Sequence, residues 1–103
     1  MSQTVEVSAK TKCYAQCEVF TGRSPSEGLV RIINSEGRSD WGHFPKEIVN
    51  EKEKLLRVDV HKVNGENALI GVKGFDFLHD NRIWVPKHIL IEEIMRGRRV
   101  PFR

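Results

Sequence analysis

The sequence predicts a mainly β domain: a small six-stranded, SH3-like barrel with an internal pseudo-twofold repeat and a short C-terminal helix. Three observations predict it. Apolar and polar residues alternate over long stretches, the mark of half-buried strands. Clusters of Gly, Pro, Asn and Ser punctuate those stretches. One pattern also occurs twice, because Phe44-Pro45-Lys46-Glu47-Ile48-Val49 returns 41 residues later as Val85-Pro86-Lys87-His88-Ile89-Leu90. The same shift lays Ala15, Cys17 and Val19 onto Leu56, Val58 and Val60, while Val30 and Ile32 meet Ile70 and Val72 at an offset of 40. The halves are expected over about 12–50 and 53–91 of one domain spanning 1–95, followed by a basic tail over 96–103.

Each element has its own signal. From Val5 to Val19 the odd positions are small or apolar and the even ones mostly polar, which predicts a strand long enough to need a bend, a bulge or a division in two. Residues 21–28 hold two glycines and a proline and read as a loop. Leu29 to Ile33 is a second strand, closed by Asn34-Ser35-Glu36-Gly37, and Trp41 to Phe44 a third. Pro45 suits the first position of a helical turn. The charged run 50–54 links the halves, Leu56, Val58 and Val60 open another strand, and Asn64-Gly65 signals a hairpin towards Ala68, Ile70 and Val72. Residues 75–81 form a loop with apolar contents before a strand at 82–85. The run 88–95, followed by Gly97, is expected to be the short helix.

With 103 residues, 39% hydrophobic and 30% charged, the chain supports one modest core. No apolar run approaches the roughly 20 residues that a membrane-spanning helix needs. The first residues lack the charged start and apolar stretch of a signal peptide, so a cytoplasmic address is the expectation. Cys13 and Cys17 would lie roughly 13 Å apart along a strand, too far for a disulfide, and read as small buried groups. The net charge of +3 is concentrated at one end, where Arg96, Arg98, Arg99 and Arg103 fall within eight residues. Without those four, 13 Lys and Arg face 14 Asp and Glu, so the body of the domain is close to neutral.

The chemistry-bearing residues fall into no catalytic pattern. His43, His61, His79 and His88 lack metal-ligand spacing, and Cys13 and Cys17 are spaced as CxxxC rather than CxxC. Gly71-Val72-Lys73-Gly74 is too short for a phosphate loop. His79 and Asp80 beside Asp76 read as a capped loop rather than a tuned base. The reading therefore calls for no catalytic residue, metal or cofactor. The aromatics are more informative. Trp41, Phe44, Phe75, Phe77 and Trp84 cluster at loop–strand junctions, where small β domains hold partners, and Phe75 and Phe77 are expected to be partly exposed.

Gly37-Arg38 followed by Phe44-Pro45-Lys46-Glu47-Ile48 resembles the Gly-Arg…Ile-Pro-Lys-Glu-Ile signature of AbrB-type swapped-hairpin transcription factors. The second copy, Arg82 to Lys87, has compact spacing with Asn81 where that family has glycine. The resemblance implies an intertwined, usually dimeric β barrel that binds DNA, with Arg38, Lys46, Arg82 and Lys87 facing phosphate. The leading expectation is a non-catalytic module that binds a protein partner or itself through the five aromatics. The alternative is a nucleic-acid binder using Arg38, Lys46, Arg82, Lys87, Arg96, Arg98 and Arg99. A third is a small-ligand or catalytic groove between halves or subunits.

Overall fold

The structure is a computed structural model and describes residues 12–94 and 97–102. The alternation upstream of Lys12, and Arg96 and Arg103 of the basic tail, lie outside the described residues. Those described are mainly β and contain no α-helix. The long alternating segment is divided into β1 (Lys12–Gln16) and β2 (Glu18–Thr21) at Cys17, whose amide donates to the Lys54 carbonyl at 3.0 Å. β3 (Glu27–Ile33) and β4 (Ser39–Pro45) complete a three-stranded sheet in the order β2-β3-β4. The β3–β4 turn is set by Asn34, whose side-chain oxygen accepts from the amides of Glu36 and Arg38, and by Gly37 at φ 80°.

After β4 comes a 3₁₀ turn, Lys46–Ile48, then β5 (Val49–Asn50) and β6 (Leu55–Asn64). A two-residue loop leads to β7 (Asn67–Gly71), with Gly65 at φ 62° as its glycine-dependent position. β8 (Arg82–Pro86), a second 3₁₀ turn at Lys87–Ile89, β9 (Leu90–Ile94) and β10 (Arg98–Pro101) follow. Six of these strands run in the order β10-β9-β1-β6-β7-β8, and β5 adds to β6 to make a seven-stranded sheet. Pro45 and Pro86 end strands rather than open the 3₁₀ turns, one position earlier than expected. The Val49 and Leu90 amides close the turns onto the Lys46 and Lys87 carbonyls, while the Lys46 and Lys87 amides tie them to the Ser26 and Glu66 carbonyls at 3.0 and 2.8 Å.

Strand registers recur between the two parts of the chain. Val19 faces Val30, and Val60 faces Ile70. Gly28 faces Phe44, and Ala68 faces Val85. Val49 faces Leu56 in β6, and Leu90 faces Ala15 in β1. The terminal strand of each part thus pairs with the opening strand of the other. At the centre, β1 and β6 pair directly, with Ala15 opposite Leu56.

Two expectations are corrected. The six-stranded SH3-like barrel is replaced by two open sheets with ten strands among the described residues. Closure fails because the outer edges of β4 and β8 meet loops rather than strands. Leu78 donates to the Trp41 carbonyl and Ser35 to the Trp84 carbonyl, each at 2.8 Å, and no ladder follows. The C-terminal helix expected over 88–95 is, in its described part, a 3₁₀ turn leading into β9. β9 is hydrogen-bonded on both edges, to β1 and β10. A helix of eight residues is marginal in water, so the two ladders decide the conformation. The isoleucines in this run suit a strand.

The core lies between the sheets. Ala15, Val30, Ile32, Phe44, Leu56, Ile70, Val85 and Leu90 are almost wholly buried, and Phe102, just beyond β10, packs against this cluster. Phe44 is the largest of the fully buried side chains. A Cβ on Gly42 would come within 2.6 Å of the Phe44 ring, so the ring occupies space that only glycine leaves open. Phe44→Ala is expected to lower unfolding stability by about 3–5 kcal/mol in urea denaturation. The half-exposed Trp84→Ala should cost under about 1.5 kcal/mol, and equal losses at both positions would contradict this placement of the core.

Candidate interaction surface

Strand parity separates the predicted aromatics into two groups. In β4 the residues Gly42 and Phe44 face the core, while Trp41 and His43 face outward. Phe77 is also core, at 3% exposure, with its ring 5.3 Å from Phe44 in an edge-to-face contact. This corrects the expectation that Phe77 is partly exposed. The loop doubles back through a bond from the Phe77 amide to the Asp80 carbonyl at 2.9 Å, and Leu78 then docks on β4, which turns Phe77 inward. Phe75 remains exposed at its end of the loop, its ring 6.4 Å from Phe44. Trp84 lies on the outer face of β8, opposite Leu69 of β7. Phe44 and Phe77 are therefore packing residues, and Trp41, Phe75 and Trp84 reach the surface.

A residue outside the predicted set joins them. Phe20 is 46% exposed on the outer face of β2, and its ring lies 5.7 Å from that of Trp41, tilted by 38°. The signal was present in the alternation: Phe20 shares the even, polar-side parity of Gln16 and Glu18. Arg31 of β3 lies beside this pair, its guanidinium 5.8 Å from the Trp41 ring and ion-paired with Glu18. His43 continues the face, with Nδ1 4.0 Å from a Glu27 carboxylate oxygen that Arg23 also approaches at 3.3 Å. Ile33 and Leu78 add exposed apolar area near Trp41, since Ile33 ends β3 and the Leu78 amide bonds to Trp41. The result is an apolar strip on an open sheet whose neighbouring cations already have carboxylate partners.

The predicted cations do not form one surface. Arg38 and Arg82 share a groove of about 460 Å³ with Trp84, between the β3–β4 turn and β8, but Glu36, Asp40 and Asp80 line it too. Lys46 and Arg99 share a different groove of about 500 Å³ with Lys12, Arg57 and Tyr14. Lys12, Arg57 and Tyr14 were not legible as a group, because β1 and β6 are brought together only by tertiary pairing. In this groove the Arg99 guanidinium sits 5.5 Å from the Tyr14 ring and is ion-paired with Glu53 and Glu93. Lys46 meets Glu51 at 3.6 Å. Lys87 follows Pro86 at the start of its 3₁₀ turn, and Arg98 is exposed on β10; neither lines these two grooves.

No group of three or more metal-ligating side chains comes together among the described residues. Both cysteines are free and half-buried. Burial, followed by the charges of Glu92 and Asp59, pushes the Cys13 thiol up to about 11. Burial, with Glu18 behind it, pushes Cys17 up to about 12. Thiols so held are poor nucleophiles at neutral pH. Comparison with known proteins finds no matching family model, no matching curated protein and no matching solved structure.

The thiols give a pH dependence with a definite sign. Folding keeps them protonated past their ordinary value of 9.0, so their contribution is complete below about pH 9 and disappears as pH rises towards 11 and 12. Denaturation between about pH 8 and 11 should show stability falling above about pH 9, with a shallower fall in a Cys13→Ala/Cys17→Ala variant. An identical slope in the variant would remove the thiols from the account.

Proposed function

We propose that this chain is a non-catalytic β module that binds a protein partner, its own copy included, through the outer face of the β2-β3-β4 sheet. One observation carries the reading: the exposed Phe20 ring packs against the half-buried Trp41 on that face, which also carries the exposed Ile33. Contiguous apolar surface of this kind is characteristic of interaction sites. The ion pairs around it, Arg31 with Glu18 and Arg23 with Glu27, leave little positive charge for phosphate. They suit instead a polar rim around an apolar centre.

The two parts of the chain are read as duplicated units that exchange terminal strands. Support comes from the Ala15–Leu56 pair. Its members are 41 residues apart, so the offset relating the halves maps this pair onto itself. It maps Cys13 opposite Val58 onto Cys17 beside Lys54, where the hydrogen bond between the β1–β2 break and the linker is found. The surfaces have nevertheless diverged: at the same offset Trp41 corresponds to Arg82 and His43 to Trp84. One half thus carries the aromatic pair.

A second reading rests on the groove around Tyr14. Lys12, Lys46, Arg57 and Arg99 line it with Tyr14, beside Glu47 and Glu51, and the Arg99 guanidinium lies over the Tyr14 ring; cations next to an aromatic are a combination that single-stranded nucleic acid uses.

Light scattering at low and high salt, with and without a mixed nucleic-acid pool, separates the two. The first reading expects a salt-insensitive complex lost in Trp41→Ser. The second expects a mass shift with nucleic acid that salt abolishes and that Arg57→Ala weakens about fivefold or more. A wild type that stays monomeric, ignores nucleic acid and retains no protein partner that Trp41→Ser loses would overturn both.

A further inference from the structure

We propose that two copies of this chain pair antiparallel along the free edge of β2, giving one continuous six-stranded sheet across a twofold axis. This deepens the interaction reading above and rests on its self-associating form. β2 ends its sheet, with β3 on one side and no ladder on the other among the described residues. Its unpaired amides and carbonyls are a template for another strand.

The other sheet ends are guarded. β10 carries Arg98, Arg99 and Pro101. The outer edges of β4 and β8 each receive a backbone bond from a loop. Charges, proline and covering loops are the usual protections of an exposed edge. β2, with the sequence Glu-Val-Phe-Thr, has no proline and a single charge.

A twofold fixes the pairing further. Directly opposed residues must share a face, which allows Phe20 to meet Phe20 of the partner subunit. In that register Val19 faces Thr21 of the partner subunit. Glu18 falls opposite Gly22 of the partner subunit, next to Arg23 of the partner subunit. Glu18 and Arg23 already pair with Arg31 and Glu27 of their own subunit but stay 52% and 68% exposed, so on each side of the axis they extend these pairs into one alternating charge network. The exposed Phe20 is covered at the centre, and the two Trp41 rings come to lie on one continuous face. The occupant is a second copy because the edge is self-complementary in both charge and apolar content.

The test uses the full chain. Sedimentation equilibrium should find a dimer. Phe20→Lys, which sets like charges face to face at an exposed position, should weaken it about tenfold or more. Phe20→Cys in a Cys13→Ala/Cys17→Ala background provides an independent reading. Opposed strand residues lie about 4.5–5.5 Å apart between Cα atoms, within the range a disulfide spans. Oxidised glutathione should therefore convert the two introduced thiols to an intermolecular disulfide, glutathione being reduced. A dimer that Phe20→Lys leaves intact, and that the Phe20→Cys variant fails to crosslink, would overturn the edge pairing while leaving self-association through another surface standing. A wild type that remains monomeric would overturn self-association itself and leave only the hetero-partner form of the interaction reading.

Discussion

The pairing of β1 with β6 is the constraint from which the rest of the molecule follows. Ala15 and Leu56 face each other at its centre, both fully buried, and each strand continues into a different sheet or meander. β1 passes through the break at Cys17 into β2, and β6 passes through its bulge between Val60 and Lys62 towards β7. The same two strands accept β9 and β5 on their other sides. The small residue beside the large one leaves room for the leucine at the centre of the core. Without this ladder the two sets of strands would lose the seam that joins them.

Much of the fold was legible because it rests on local and periodic signals. Alternation located the strands, and the two Pro-Lys sequences located the 3₁₀ turns. What was not legible depends on contacts between distant segments. The run from His88 to Met95 has a spacing compatible with a helix, and only the flanking β1 and β10 make a strand of its described part. Barrel closure turns on which groups reach the edges of β4 and β8. Loop residues Leu78 and Ser35 reach them, and sequence periodicity carries no information about that.

The candidate surface divides in the same way. Parity alone would have sent Phe44 inward and Phe20 outward, since each belongs to an alternating strand. Phe77 lies in an irregular loop where parity does not apply, and its burial follows from backbone bonds to Asp80 and from Phe44 across the core. The basic residues mislead for a different reason. Adjacent in sequence to aromatics, those described are dispersed in space among carboxylates. Their grouping around Tyr14 draws on β1, β6 and β10 at once, which no linear motif records.

The pairing of β9 with β1 bears on the order in which the chain can fold. β1 finds one of its partners in β6, and its other edge is completed only by Leu90 and the residues that follow it. Contacts of such long sequence separation are formed late, because loop closure must precede the gain from pairing. During synthesis β1 therefore waits with one edge unpaired until β9 has left the ribosome. In that interval it shows an open edge that the finished sheet does not have.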